Sequence, residues 1–297
     1  MGWALRAGVV LVALAIGLGW VLTRPASLPD NFAADHIPDP ENGALVFHAG
    51  GCASCHTAPE AETDGAAPPV LAGGLPFVTE FGTFYAPNIS PHPDHGIGAW
   101  SAQGFARAVT LGVSPQGQHY YPAFPYAAYQ HATPGDVADL FAYIQTLPPS
   151  DAVNRPHDVG FPFNIRRGLG LWKRLFVAKD FVVATDDPIL QRGRYLAEGL
   201  SHCTECHTSR NALGGLDRAR WMAGAPNPSG KGTIPNITPA VLDWSENDLI
   251  AYFTSGFTPD YDSAGGKMAE VVENLSQLPE ADRAAIAAYI KALPAIP

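Results

Sequence analysis

Cys52-Ala53-Ser54-Cys55-His56 and Cys203-Thr204-Glu205-Cys206-His207 between them contain every cysteine of this 297-residue chain. Two thiols three residues apart share one face of a helical turn. There they reach the two vinyl groups of a single porphyrin, and the adjoining imidazole is left to ligate the iron. Cys-x-x-Cys-His is the attachment signature of c-type haem. A redox dithiol or half of a zinc site also reads Cys-x-x-Cys, but neither requires His immediately after the second Cys, and here it follows twice. The expected cofactors are two covalently bound haem c groups, one on Cys52, Cys55 and His56, the other on Cys203, Cys206 and His207.

Outward from the two pentapeptides the chain repeats itself. Trp100-Ser101 and Trp244-Ser245 each open a stretch that closes at Gly112 or Gly256; Ser is a natural helix N-cap and Gly a natural terminator. Pro87-Asn88-Ile89-Ser90-Pro91 is mirrored by Pro235-Asn236-Ile237-Thr238-Pro239, and DVADLFAYIQTLP (136–148) by DRAAIAAYIKALP (282–294). In the last pair apolar residues recur at helical spacing and Pro ends the run. Each unit is expected to hold an attachment helix, a middle helix, a loop over the haem and a closing helix.

Composition agrees. Thirty glycines and 28 prolines against 15% charged residues suit short helices and long loops around a large apolar cofactor. A net charge of −10 argues against nucleic acid and for a partner with a basic docking patch. The uncharged run from Ala7 to Thr23, ended by Arg24-Pro25, falls at the short end of the roughly 17–25 residues a spanning helix needs. A cleavage site of small residues is hard to place, so an uncleaved anchor is favoured over a removed signal peptide. Either way the globular part is exported to the periplasmic face of a bacterial cytoplasmic membrane, where haem c is attached. Between the units, Arg155, Arg166, Arg167, Lys173, Arg174 and Lys179 alternate with Phe161, Phe163, Trp172, Phe176 and Phe181. This segment reads as a linker packing the two units together, or as a docking site for a partner subunit.

The stretches FGTFYAPNIS (81–90), GIGAWS (96–101), YYPAFPY (120–126), CHTSRNALGG (206–215) and AGGKMAEVVENLSQLPEADRAAIAAYIKALP (264–294) resemble the multihaem cytochrome c subunits of membrane-bound dehydrogenases for alcohols, gluconate, aldehydes and N-heterocycles. The likeness covers most of residues 40–294. It implies an all-α fold of two tandem cytochrome c domains behind an N-terminal membrane anchor helix. The expected divisions are 1–24 (anchor or signal segment), 40–149 (first domain), 150–187 (linker) and 188–297 (second domain). The resemblance further implies electron transfer, without substrate chemistry of its own, from a dehydrogenase subunit towards a downstream cytochrome or oxidase of the respiratory chain. Such subunits often carry three haems, whereas this chain has two motifs.

The family places a Met ligand in a Gly-rich loop before the closing helix. Met268 falls there, and the resemblance implies that it completes the second iron opposite His207. The first iron departs from the family. Where Tyr-Pro-Ala-Met-Pro-Tyr is familiar, this chain has Tyr121-Pro122-Ala123-Phe124-Pro125-Tyr126, and its first unit contains no Met. Phe cannot ligate iron. The replacements on offer are His131 and His119 beside that loop, more remotely His36, His48, His92, His95 and His157, or an open position. An open iron would admit a peroxidase-like enzyme or a gas or redox sensor as alternatives to a carrier. Pro68 or Pro69 could offer a carbonyl to the far nitrogen of His56. Asn88, Asn236 and Tyr85 resemble residues near the haem edge, or serve as turn formers.

Overall fold

The computed structural model describes residues 2–59, 67–228, 230 and 232–297. α1 (Gly2–Leu22) is exposed almost throughout. The first unit follows with α2 (Pro40–Ala49), α3 (Cys52–His56), α4 (Ala102–Leu111), α5 (Tyr126–Tyr129) and α6 (Pro134–Ile144). α7 (Leu169–Phe176) lies in the intervening segment. The second unit has α8 (Pro188–Arg194), α9 (Cys203–His207), α10 (Glu246–Ser255), α11 (Lys267–Ser276) and α12 (Glu280–Lys291). Among the described residues, strands form two small antiparallel hairpins, β1 (Pro76–Thr79) with β2 (Gly82–Tyr85) and β3 (Ala225–Pro226) with β4 (Thr233–Ile234). The chain is thus mostly helical, with the repeat visible in its elements.

The helices begin and end where local chemistry directs. Asp39 and Asp187 each accept two backbone N–H groups at the first turns of α2 and α8. Ser101 accepts from the Gly104 N–H, and Ser245 forms a reciprocal capping box with Asp248. Gly112 and Gly256 close α4 and α10 at φ of 58° and 79°, a region a side chain avoids.

In each unit the first helix crosses the last, α2 on α6 and α8 on α12. Glycine makes the crossings possible. A Cβ on Gly43 would lie 2.1 Å from the Asp139 carbonyl oxygen, and one on Gly193 would lie 1.9 Å from that of Ala285. From this glycine to the first motif cysteine the second unit has one residue more than the first, and a π-helical turn at Tyr195–Leu200 absorbs it.

The loop expected over the second haem is largely a helix. α11 starts after Gly266, at φ 55°, and Met268 sits in its first turn. Met268, Val271, Val272 and Leu275 follow helical spacing, and α11 packs on α10 and also on α2 of the first unit. The apolar core runs through both units as one cluster, from Phe47, Leu71 and Ile144 to Leu196, Leu275 and Ile286. Polar bonds stitch the seam. The Tyr195 hydroxyl donates to Asp136, the Asn274 amide to Ser54 Oγ at 2.9 Å, and the Gln130 amide to the Ala178 carbonyl at 2.6 Å.

Five of the six basic residues between the units, all but Lys179, have intramolecular partners. Arg155 lies over the Tyr85 ring and Arg166 over that of Tyr121. Lys173 donates to the last carbonyls of α4, those of Leu111 and Gly112, at 2.7 and 2.6 Å. Arg167 and Arg174 donate to the Trp20 and Leu22 carbonyls at 2.8 and 2.6 Å, so they occupy the unsatisfied C-terminal end of α1.

Candidate haem sites

A left-handed residue aims each motif. After α2 the chain turns at Gly51 (φ 59°) into α3; in the second unit His202 takes the same place at φ 40° before α9. The turn costs Gly little and costs His202 about 1–2 kcal/mol. Cys52 and Cys55, like Cys203 and Cys206, then lie three residues apart on one helical face. Before haem is attached, burial holds the thiols protonated. It pushes Cys52 and Cys203 up to about 12 and Cys55 to about 11, with neighbouring cysteines adding to the effect.

Both motif histidines are oriented from behind. His56 Nδ1 donates to the Pro87 carbonyl at 2.8 Å, and His207 Nδ1 to the Pro235 carbonyl at 2.8 Å. A carbonyl only accepts, so Nδ1 carries the proton and Nε2 keeps a lone pair for a metal. Burial holds both rings below the ordinary histidine range, hence neutral. Pro68 and Pro69, the expected partners of His56, are not the acceptors. The partner comes from the mirrored Pro-Asn-Ile stretch, which folds back because Gly73 N–H bonds the His56 carbonyl at 2.6 Å and Ile89 N–H bonds that of Leu71 at 3.0 Å. The second unit repeats the pattern through Gly224 to His207 and Ile237 to Met222.

Asn88 and Asn236 hold these acceptor loops. Asn88 is buried; its amide donates to the Ser150 and Ala152 carbonyls at 2.9 Å each, and its Oδ1 accepts from Ser90 N–H. Asn236 donates to the Ile296 carbonyl at 2.7 Å and accepts from Thr238 N–H. Each Asn therefore ties the loop that orients a motif histidine to the chain beyond its closing helix. The repeated Pro-Asn-Ile was the sequence signal for this role.

The two motifs meet. Ser54, inside the first motif, accepts from the Asn274 amide of α11 at 2.9 Å. Tyr129 stands between the two motifs: its hydroxyl donates to the Gly50 carbonyl at 2.9 Å, its ring lies 5.5 Å from that of His202, and Cys52, Cys55 and Glu205 all act on its phenol.

The remaining candidates separate. Met268 is half-buried against the core at the head of α11, whereas Met222 is fully buried. Phe124 packs among Tyr120, Tyr126 and Tyr129. The His131 ring stacks on Phe181 at 4.1 Å, and its Cβ faces Gly199 of the second unit. Burial first, then Arg218 and Arg194, lower its pKa to about 4. His119 is buried and its Nε2 bonds the Thr23 carbonyl at 3.0 Å. The two imidazoles offered beside that loop thus have other partners, His131 in the seam and His119 at the base of α1.

The donor set fits haem c in both units: a thiol pair on one helical face, and a neutral imidazole with its far nitrogen already bonded. Among the described residues, no three His, Cys, Asp or Glu side chains gather as they would around a bare metal ion.

The cytochrome c family model matches residues 40–148 and 190–294. A diheme cytochrome c-type protein of Cereibacter sphaeroides is 56% identical over 294 residues, 99% of each chain. The fructose dehydrogenase cytochrome subunit of Gluconobacter japonicus is 39% identical across 89% of this chain and 54% of its own length. The gluconate 2-dehydrogenase cytochrome c subunit of Pantoea cypripedii is 36% identical across 90% of this chain and 62% of its own. This chain therefore spans only about half to three fifths of those two dehydrogenase subunits.

Proposed function

This chain belongs to the cytochrome c family and carries two covalently bound haem c groups, and from that premise we propose that it relays electrons from a dehydrogenase at the periplasmic membrane surface to the respiratory chain. The observation that carries the proposal is the place of Tyr129 between Gly50 and His202, the residues that lead into the two attachment motifs, which suits passage from one haem to the other within one chain. When bound, haem c supplies an iron centre that gains and loses one electron.

The chain's own residues hold and tune those centres. Cys52 and Cys55 attach the first haem, and Cys203 and Cys206 the second. His56 and His207 present Nε2 to the irons, with Pro87 and Pro235 fixing their orientation. Met268 would supply a thioether to the second iron, which would raise its potential. The first unit has no thioether to give, so its iron would lie lower and would be the entry point for electrons. Phe124 and its tyrosine neighbours offer no group that titrates near neutrality: burial raises the Tyr120 and Tyr129 phenols well above their ordinary value. α1 is long and apolar enough to cross a membrane; retained, it tethers the carrier there.

Near-infrared spectroscopy of the oxidised protein tests the ligand asymmetry. One Met–iron band is expected, lost in Met268→Ala with the first haem unchanged. A band that survives Met268→Ala would overturn the assignment.

A further inference from the structure

The segment that grips α1 also exposes an apolar strip. Along α7 and the turn before it, Arg167, Gly170 and Arg174 form the row that meets the end of α1. Arg167 donates to the Trp20 carbonyl and Thr23 Oγ1 and lies over the Trp20 ring at 3.9 Å. Arg174 donates to the Leu22 carbonyl, and Gly170 leaves no room for a Cβ against Thr23. The opposite side of α7 packs inward, with Trp172 bonded to the Leu213 carbonyl and Phe176 against Gly215. Leu171 and Leu175, one turn apart beside the gripping row, keep much of their surface open: they are 47% and 63% exposed. Phe161 and Ile165, just upstream, are 81% and 54% exposed.

We infer that Phe161, Ile165, Leu171 and Leu175 form a second membrane contact, in which this strip lies in the headgroup layer of the bilayer that α1 spans. The inference rests on the reading of α1 as a retained anchor. The 21 residues of α1 extend about 31 Å at 1.5 Å per residue, matching the roughly 30 Å hydrocarbon core. Its C-terminal end therefore falls at the hydrocarbon boundary, where Trp is favoured. Side chains one hydrogen bond from the Trp20 and Leu22 carbonyls must then sit among headgroups, and the neighbouring leucines sit with them. Charge agrees. On a chain of net charge −10, Arg24, Arg166, Arg167 and Arg174 cluster here, where they complement anionic phospholipid. Two contacts, one spanning and one lying flat, would fix how the haem-bearing units tilt over the surface, which a lone helix would leave free.

The test uses full-length holoprotein in phosphatidylcholine–phosphatidylglycerol nanodiscs. Because the four native thiols are consumed by haem attachment, a nitroxide can be placed singly at Leu171→Cys, Leu175→Cys or, as a control on an exposed residue of the second unit, Tyr261→Cys. Relaxation by oxygen, which concentrates in lipid, is compared with relaxation by a water-soluble nickel chelate. The expected oxygen-to-nickel ratio is several-fold higher at 171 and 175 than at 261. Equal ratios at all three sites, with α1 shown intact by mass, would overturn the inference and leave the anchor standing. Exclusion of both reagents at 171 and 175 would mean that a protein surface covers the strip, and would overturn it too. A mature chain lacking α1 would remove the anchor reading and this inference together.

Discussion

Asn88 supports His56 at one remove, because its two amide bonds fix the loop whose Pro87 carbonyl orients the ring. Asn88→Ala would remove both amide bonds to the half-buried Ser150 and Ala152 carbonyls and should cost about 1–2 kcal/mol. A loosened Pro87 makes the His56 imidazole less basic, so the first haem's potential should rise while the second's stays in place, as read by spectroelectrochemical titration. His131 tests a different role. Its pKa is lowered to about 4 by burial and by Arg218 and Arg194, so the unfolded chain takes the proton before the folded one does. The stability it lends is complete above about 6.5, the unfolded value, and is lost as pH falls towards 4. In His131→Asn the acid slope of the melting temperature should flatten, with the first haem's spectrum unchanged; a switch of that haem to high spin would make His131 its ligand. At this scale the haem-attachment motifs were legible because covalent chemistry demands fixed spacing. The Pro87 contact was not, since it closes a loop over 31 positions and only the mirrored Pro-Asn-Ile hinted at it.

Gly43 and Gly193 decide whether the first and last helices of each unit can cross. Gly43→Ala would drive its Cβ to 2.1 Å from the Asp139 carbonyl oxygen, and such overpacking should cost about 3 kcal/mol or more. Thermal melts followed at the two haems should show the first unit destabilised ahead of the second; simultaneous loss would mean that the shared core makes the units one cooperative block. The middle and closing helices were readable from their Ser caps, Gly terminators and Pro stops. α11 was not read, although Met268, Val271, Val272 and Leu275 carry the helical period, because the expected ligand loop took its place. The π-helical turn at Tyr195–Leu200 follows from a one-residue insertion visible only once the two units are aligned on their crossing glycines.

Taken whole, the molecule joins two units through a common core and a basic segment that reaches back to α1. The all-helical repeat was legible in the sequence because each half must bury a haem in the same way. The destination of the arginines was not: their partners are main-chain carbonyls of α1 some 150 positions away, and no local pattern encodes such a contact. The central claim is that each motif holds one haem independently. Intact-mass spectrometry of the denatured protein tests it most directly, comparing wild type with a Cys203→Ser/Cys206→Ser variant. Two haem increments are expected on the wild type and one on the variant. A wild-type mass without covalent haem, or a variant that keeps both increments or loses both, would contradict the account.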